Sequence, residues 1–448
     1  FDGWTGDVCN GTTGQCVFTI SADTNVSASF SPITAPSCEN GGVTFDVGGT
    51  NGFGLQQMIN NSPLVVSNHT DIAFIPEAGG AFLVTAQGGQ VYYFNGGCNP
   101  VNSKDLRNAS TGGIGVVSGG EQGLLNVEFH PDFSSNSYVF FYHTSISSST
   151  NSISRMTLSF DGNGNMVLSD PVKIIDFLKT DTTRSNHNGG GLVFAPDKTL
   201  LASVGEGGVA ANGQLNNNLL CVVIRIGPSL MPGAGGYTIP DGNMFDPGNS
   251  PCSNVVNSSS PCPEILAMGL RNPFRMSVDG DIVYLGDVGT IYEEIDSFDY
   301  RDATANFGWS KYDGVANQAG YRDPILAYRR DDATAGLFRC EDPEIYDPVT
   351  GTCNGTGYAS LILGDVYRGA LYDGLLTGRL FHAEFMDGYM RALGIDSSGS
   401  RTDMGMHVIH HDGLSAMIEG PDGYMYIVTQ GGAWGTTGPD MVYRLVKP

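Results

Sequence analysis

Short apolar runs broken by Pro, Asp and Gly recur along most of this chain, and they suggest its architecture before any chemistry is considered. Ile72-Ala73-Phe74-Ile75-Pro76 leads into Ala81-Phe82-Leu83-Val84, and Val127-Glu128-Phe129-His130-Pro131-Asp132 leads into Tyr138-Val139-Phe140-Phe141. The same form returns at Leu192-Val193-Phe194-Ala195-Pro196-Asp197 before Leu200-Leu201-Ala202-Ser203, and at Met276-Ser277-Val278-Asp279-Gly280 before Ile282-Val283-Tyr284-Leu285. Met417-Ile418-Glu419-Gly420-Pro421-Asp422-Gly423 before Tyr424-Met425-Tyr426-Ile427-Val428 is a fifth copy, and Leu375-Leu376-Thr377-Gly378-Arg379 before Leu380-Phe381-His382-Ala383 a weaker sixth. Each reads as a buried strand, a tight turn and a second strand, the inner hairpin of a propeller blade. Six copies predict an all-β fold, a six-bladed β-propeller. Uneven spacing between copies predicts long loops, and no long amphipathic helix is visible.

Residues 1–31 stand apart as a small N-terminal β appendage. Val17 to Ser21 and Val26 to Phe30 alternate around a turn at Asp23-Thr24-Asn25, which predicts a hairpin behind a Cys9/Cys16 loop. This unit resembles the end of the small β repeats of bacterial surface proteins. Residues 32–37 read as a linker, and 38–448 as the propeller.

Composition narrows the class. Sixty-three glycines with only 15% charged residues suit strands and loops. A formal net charge of −24 argues against nucleic acid and anionic membrane partners. No apolar run reaches transmembrane length, so no membrane span is expected. Of nine cysteines, Cys9/Cys16, Cys252/Cys262 and Cys340/Cys353 flank polar loops as disulfides would, and Cys38 with Cys98 is a longer candidate. Cys221, inside Leu219-Leu220-Cys221-Val222-Val223, reads as a buried free thiol. Disulfides place the protein in an oxidising compartment: secreted, periplasmic or held at the cell surface. No signal peptide is visible, and the opening at Phe1 suggests a mature or truncated chain.

Candidate chemistry gathers where strands end. Ser185-Asn186-His187-Asn188-Gly189-Gly190-Gly191 sets a histidine on a tight polar loop at the mouth of a buried strand, placed to exchange protons or bind a metal. A histidine that only ties loops together is the alternative. Glu206 follows the next strand, Arg271-Asn272 lies in Met268-Gly269-Leu270-Arg271-Asn272-Pro273, and Asp287 opens Asp287-Val288-Gly289. In a propeller such loops converge around the axis, so these residues, distant in sequence, are expected to meet. A base, an acid and a fixed cation there suit removal of a hydroxyl proton. Arg271 and Arg275 have a structural alternative, pairing with Glu293 or Asp296 between blades. Asp161-Gly162-Asn163-Gly164-Asn165 reads as a hairpin turn rather than a calcium loop, and Glu264 as a blade-edge carboxylate.

Taken together, His-Asn-Gly-Gly at 187–190, Gly-Leu-Arg-Asn-Pro at 269–273, Gly-Asp-Val-Gly with Glu-Glu-Ile at 286–295 and Asn-Phe-Gly-Trp at 306–309 resemble the soluble PQQ-dependent sugar (aldose/sorbosone) dehydrogenases and the related hedgehog-interacting-protein-like propellers. Glu121-Gln122-Gly123-Leu124-Leu125 and Val366-Tyr367-Arg368-Gly369 agree with this. The resemblance spans roughly residues 40 to 446. It implies that His187 is the base and Arg271 the electrostatic stabiliser in oxidation of a sugar at its anomeric carbon. It further implies PQQ held by Asn188, Arg271, Asn272 and Asp287, with an external electron acceptor. Calcium is implied at the carbonyls of Val288 and Gly289, and a structural calcium around Glu294 and Phe307. The family's sugar-oxidising members hold the PQQ carboxylates with further cations late in the chain. Phe385-Met386-Asp387-Gly388-Tyr389 and His411-Asp412-Gly413-Leu414 supply no lysine or arginine pair there, leaving Arg391, His410 and His411 as substitutes. The competing reading is a non-catalytic, calcium-stabilised propeller that binds a glycan or protein partner.

Overall fold

The computed structural model describes residues 3–6, 26–29, 43–45, 53–59, 68–145, 150–329, 360–385, 390–395, 401–406, 413–431 and 440–447. Six antiparallel sheets follow one another in sequence order, each read from its inner to its outer strand. Blade one comprises His69–Phe74, Phe82–Ala86, Gln90–Phe94 and Asn102–Asp105, and blade two Leu124–Phe129, Tyr138–Thr144, Thr150–Phe160 and Met166–Leu178. Blade three comprises Leu192–Phe194, Leu200–Val204, Val222–Pro228 and Ile265–Met268, with Tyr237–Thr238 paired to the end of its third strand. Pro273–Asp279, Ile282–Asp287, Tyr292–Asp299 and Leu326–Arg329 build blade four; Leu361–Val366, Leu380–Glu384, Met390–Ile395 and Arg401–Met406 build blade five. Among the described residues no helix is long and apolar enough to cross a membrane.

Blade six closes the ring. Leu414–Glu419, Met425–Thr429 and Met441–Val446 come from the C-terminal end, while its fourth strand, Gly54–Gln57, comes from the N-terminal end. Tyr443 faces Gln57 and Val446 faces Gly54 across this seam. Hydrogen bonding across this seam completes blade six and fastens the ring closed.

Side chains alternate between the two faces of each blade, and each face packs on the neighbouring blade. Tyr142 and Phe177 of blade two stack at 5.8 Å and share a core with Leu192, Leu200, Cys221 and Ile224 of blade three. Every residue of that group is at most 1% exposed, and burying a side chain of this size contributes roughly 1.5–3 kcal/mol. Along the axis the six inner strands enclose a cavity of about 430 Å³ whose wall carries Asp71, Glu128 and Asp365. Burial, then the neighbouring Asp71 and Asp365 charges, holds the Glu128 carboxyl well above the usual carboxylate range.

Several expectations change in detail. The inner strand of blade five is Leu361–Val366, and residues 375–379 belong to the turn before Leu380–Glu384. That turn is far longer than its counterparts, so the strand lies well upstream of the apolar run that resembled it. In the appendage, Val26–Ser29 pairs with Gly3–Gly6; the expected strand at 17–21 lies outside the described residues. Asp161 does organise a hairpin turn, its Oδ1 accepting the N–H groups of Asn163 and Asn165. Cys252–Cys262 is a disulfide, and Cys221 is free and buried. Cys98 is disulfide-bonded, while Cys9, Cys16, Cys38, Cys340 and Cys353 lie outside the described residues.

Candidate active site

In an antiparallel blade the inner strand begins where the second strand ends, so loops entering the first and leaving the second share one face. Glu121 and His187 precede inner strands, as does Asn272, whereas Glu206 and Asp287 sit at or just past the ends of second strands. The fold thus brings together side chains from blades two, three and four.

His187 is held by backbone and side chain alike. Its φ of 53° is left-handed, and its N–H donates to Glu121 Oε2 at 2.5 Å. Two glycines allow the loop to lie against the strand end. A Cβ on Gly205 would come within 2.3 Å of the His187 carbonyl, and one on Gly189, at φ +70°, within 2.5 Å of the Ser203 carbonyl. His187 Nδ1 lies 2.7 Å from Oε1 of Glu206, a residue only 3% exposed. Glu206 Oε2 accepts the indole N–H of Trp309 at 2.8 Å. An ionised carboxylate only accepts, so the imidazole proton belongs on Nδ1, leaving the Nε2 lone pair open. Among the described residues nothing bonds Nε2.

Arg271 stands beside this pair. Its N–H donates to Asp287 Oδ2 (2.8 Å), its carbonyl accepts the Glu206 N–H (2.8 Å), and its guanidinium lies 5.6 Å from the Trp309 ring centre. Nη1 donates to the Val288 carbonyl at 2.6 Å; Nε and Nη2 have no partner among the described residues. Asn272 donates its N–H to Asp287 Oδ1 (2.6 Å) and accepts the Gly189 N–H on its side-chain oxygen (3.0 Å), tying the Arg271 loop to the His187 loop. Both Asp287 oxygens are therefore engaged by backbone; burial first, opposed by those two bonds, pushes its carboxyl up to about 6. The Asn188 carbonyl accepts from Tyr142 Oη and Asn151 Nδ2, and among the described residues the buried side-chain Oδ1 of Asn188 has no partner.

The expected metal residues all belong to blade four and its loops. The Val288 carbonyl is taken by Arg271, and Asp313 grips the loop beyond it by accepting the N–H groups of Thr290, Ile291 and Tyr292. Gly289 admits no side chain, since a Cβ would overlap the Tyr292 carbonyl. Glu294 accepts the Gly314 N–H. Two residues along the same strand, Asp296 is fully buried, and among the described residues neither carboxylate oxygen has a hydrogen-bond partner. Burial, and then neighbouring carboxylates, push both groups well above the usual range. Phe307 is buried against Phe298 and bonds through its N–H to the Met268 carbonyl. Arg391 is buried in blade five opposite His382, and His410 and His411 lie outside the described residues. Neither Arg271 nor Arg275 pairs with Glu293 or Asp296: Arg271 donates one nitrogen to a backbone carbonyl, and Arg275 donates three. Glu264 immediately precedes the outer strand of blade three, as expected of a blade-edge carboxylate, but it is fully buried and accepts from Tyr237 Oη and the Cys252 N–H.

Two participants escaped the sequence reading. Trp309 is carried to the site by a loop from blade four that bridges blade three at Asn306 and Met268. Lys179, only 2% exposed, follows the last strand of blade two and donates to the Arg184 carbonyl at 3.2 Å. Burial pulls its pKa down to about 8, the Glu121 charge acting the other way. Between pH 8 and the ordinary lysine value near 10.4 the unfolded chain keeps a proton that the folded chain has released, so Lys179 makes stability rise with pH there. Below pH 8 its buried charge costs folding energy. Lys179→Met is therefore expected to be more stable than wild type at pH 7 by about 1–3 kcal/mol, with the gap closing between pH 8 and 10.5. Denaturant titrations of both proteins at pH 7, 9 and 10.5 check this, and a constant gap would refute it.

Comparison with known proteins bears on the fold and the family. The family model described as glucose/sorbosone dehydrogenase matches residues 66–435. The PQQ-bound aldose sugar dehydrogenase of Streptomyces coelicolor superposes with a TM-score of 0.62 at 20% identity, covering 89% of this chain and 99% of that one. The apo soluble aldose sugar dehydrogenase of Escherichia coli gives 0.64 at 18% identity, covering 88% and 100%. Among curated proteins, the HIPL2 protein of Arabidopsis thaliana is 28% identical over 220 residues, 42% of this chain and 29% of that protein. The chain spans less than a third of the length of the plant relatives it matches. Matched from residue 66 to residue 435, this chain belongs to the glucose/sorbosone dehydrogenase family.

Proposed function

We propose that this protein is an extracytoplasmic PQQ-dependent oxidoreductase that oxidises an aldose or related sugar at its anomeric carbon. The observation that carries this reading is the His187–Glu206 pair, with Nδ1 anchored, Nε2 open and Arg271 alongside. In this reading His187 Nε2 takes the proton of the anomeric hydroxyl, and Glu206 stabilises the imidazolium that forms. Arg271, with two guanidinium nitrogens uncommitted, stabilises negative charge next to it. When bound, PQQ supplies the two-electron acceptor that the side chains lack.

The residues present fit such a cofactor. Uncommitted Arg271 donors suit an anionic, oxygen-rich group, and Asn188 and Asn272 lie within the same loop network. Calcium also has a fitting donor set: the orphaned Asp296 carboxylate beside Glu294 offers hard oxygen ligands whose buried charge a cation would offset.

Titrating metal-stripped protein with PQQ and calcium, followed by absorbance and by dye reduction with a panel of aldoses, tests the proposal. Stoichiometric binding with sugar-dependent dye reduction is expected. At a hundredfold excess over Kd the ligands should add about 2.7 kcal/mol of stability. Failure to bind PQQ, with calcium still raising thermal stability, would leave a calcium-stapled propeller and return attention to a glycan or protein partner.

A further inference from the structure

The indole N–H of Trp309 can donate a hydrogen bond but never accept one. Its position is fixed by backbone. The Trp309 N–H donates to the Gly269 carbonyl at 3.0 Å, and its own carbonyl accepts from Gln214 Nε2 at 2.6 Å. The residue it addresses is equally constrained. The Glu206 N–H donates to the Arg271 carbonyl at 2.8 Å, and the Glu206 carbonyl accepts from Asn212 Nδ2 at 2.9 Å. At 3% exposure the carboxylate has little water to satisfy it, and its two oxygens meet Trp309 Nε1 at 2.8 Å and His187 Nδ1 at 2.7 Å.

We propose that Trp309 is a positioning residue that orients the Glu206 side chain, holding one oxygen so that the other faces His187 Nδ1, the contact that keeps the proton on Nδ1 and the lone pair of Nε2 towards the site. Its fixed donor commits one Glu206 oxygen, so the other is aimed at the imidazole and cannot turn away without leaving the indole unpaired. The inference rests on His187 being the base of the proposed reaction, but its test needs neither cofactor nor sugar.

Replacing Glu206 by glutamine makes the polarity visible, because an amide has one accepting and one donating end. The indole can only donate, whereas the imidazole can change tautomer. In Glu206→Gln the amide oxygen should therefore turn to Trp309 and its NH2 group to His187 Nδ1, driving the imidazole proton onto Nε2. Adding Trp309→Phe removes that demand, so the oxygen is free to face His187 and the Nδ1–H tautomer should return. Long-range 1H–15N spectra of histidine-labelled protein report the tautomer of the neutral ring directly. The expected pattern is Nδ1–H in wild type, Nε2–H in Glu206→Gln and Nδ1–H again in the double variant. The same tautomer in the single and double variants would overturn the proposal.

Wild-type protein gives a second measurement should the variants fold poorly. The Trp309 indole resonance, identified by its loss in Trp309→Phe, should move as His187 is titrated, and an invariant resonance would refute the coupling. If wild type oxidises sugar, the double variant should regain at least about tenfold over Glu206→Gln, a recovery within the range of general base catalysis. The expected tautomer pattern in a protein that oxidises nothing would support the role of Trp309 and count against the dehydrogenase reading alone.

Discussion

Replacing His187 by asparagine is expected to lower kcat/KM for the oxidised sugar by at least about a hundredfold, the lower bound for losing a general base. Asparagine is preferable to alanine because it tolerates left-handed backbone, and position 187 has a φ of 53°. It keeps the backbone N–H that donates to Glu121 and the carbonyl that accepts from Gly207. What disappears is the ring: Nε2 as proton acceptor, and Nδ1 as one of the two groups meeting Glu206. Leaving one oxygen of a buried carboxylate unpaired costs roughly 1–3 kcal/mol, so the variant should remain folded. Bound calcium should be unaffected, since Glu294 and Asp296 lie on another blade. Steady-state dye reduction alongside a denaturant titration separates the two effects. Undiminished turnover would remove His187 from the mechanism.

The convergence of His187, Glu206, Arg271 and Asp287 was legible in the sequence because it follows from blade topology. Strand, turn and strand repeat with an apolar pattern, and that repetition fixes which loops share a face. What escaped were contacts with no local signature. The latch strand Gly54–Gln57 pairs with Met441–Val446 at the far end of the chain, and nothing in either segment marks the other. Trp309 stood in a quoted motif, yet its indole reaches Glu206 only because a long loop crosses onto the neighbouring blade. Lys179 follows an ordinary strand, and nothing in the neighbouring sequence marks its side chain as buried. Carboxylates invited the wrong partners for the arginines, because a guanidinium satisfied by backbone carbonyls leaves no charge pattern to read.

Arg275 is where that misreading matters most for stability, and replacing it by methionine is expected to cost about 3–5 kcal/mol, as loss of one partner from a buried charged network does. From the inner strand of blade four its Nε donates to the Ser415 carbonyl at 2.8 Å and its Nη1 to the Leu125 carbonyl at 3.0 Å. Nη2 donates to the Thr70 carbonyl. One side chain, 5% exposed, thus ties blade four to blades six, two and one across the axis. Methionine fills much of the volume but leaves three inner carbonyls without these donors and Asp71 without its counter-charge. Burial already holds the Asp71 carboxyl above its ordinary range, with Arg275 opposing that shift. Without Arg275 the shift should grow, so folded variant binds a proton more tightly than folded wild type. The deficit of the variant should therefore shrink as pH falls and Asp71 becomes neutral. Lysine should not rescue it, since one ammonium cannot span carbonyls that a planar fork reaches on three sides. Denaturant titrations of Arg275→Met and Arg275→Lys at pH 5 and pH 7 measure these effects. A loss below 1 kcal/mol in Arg275→Met would mean that the ring is held by its blade faces and latch alone.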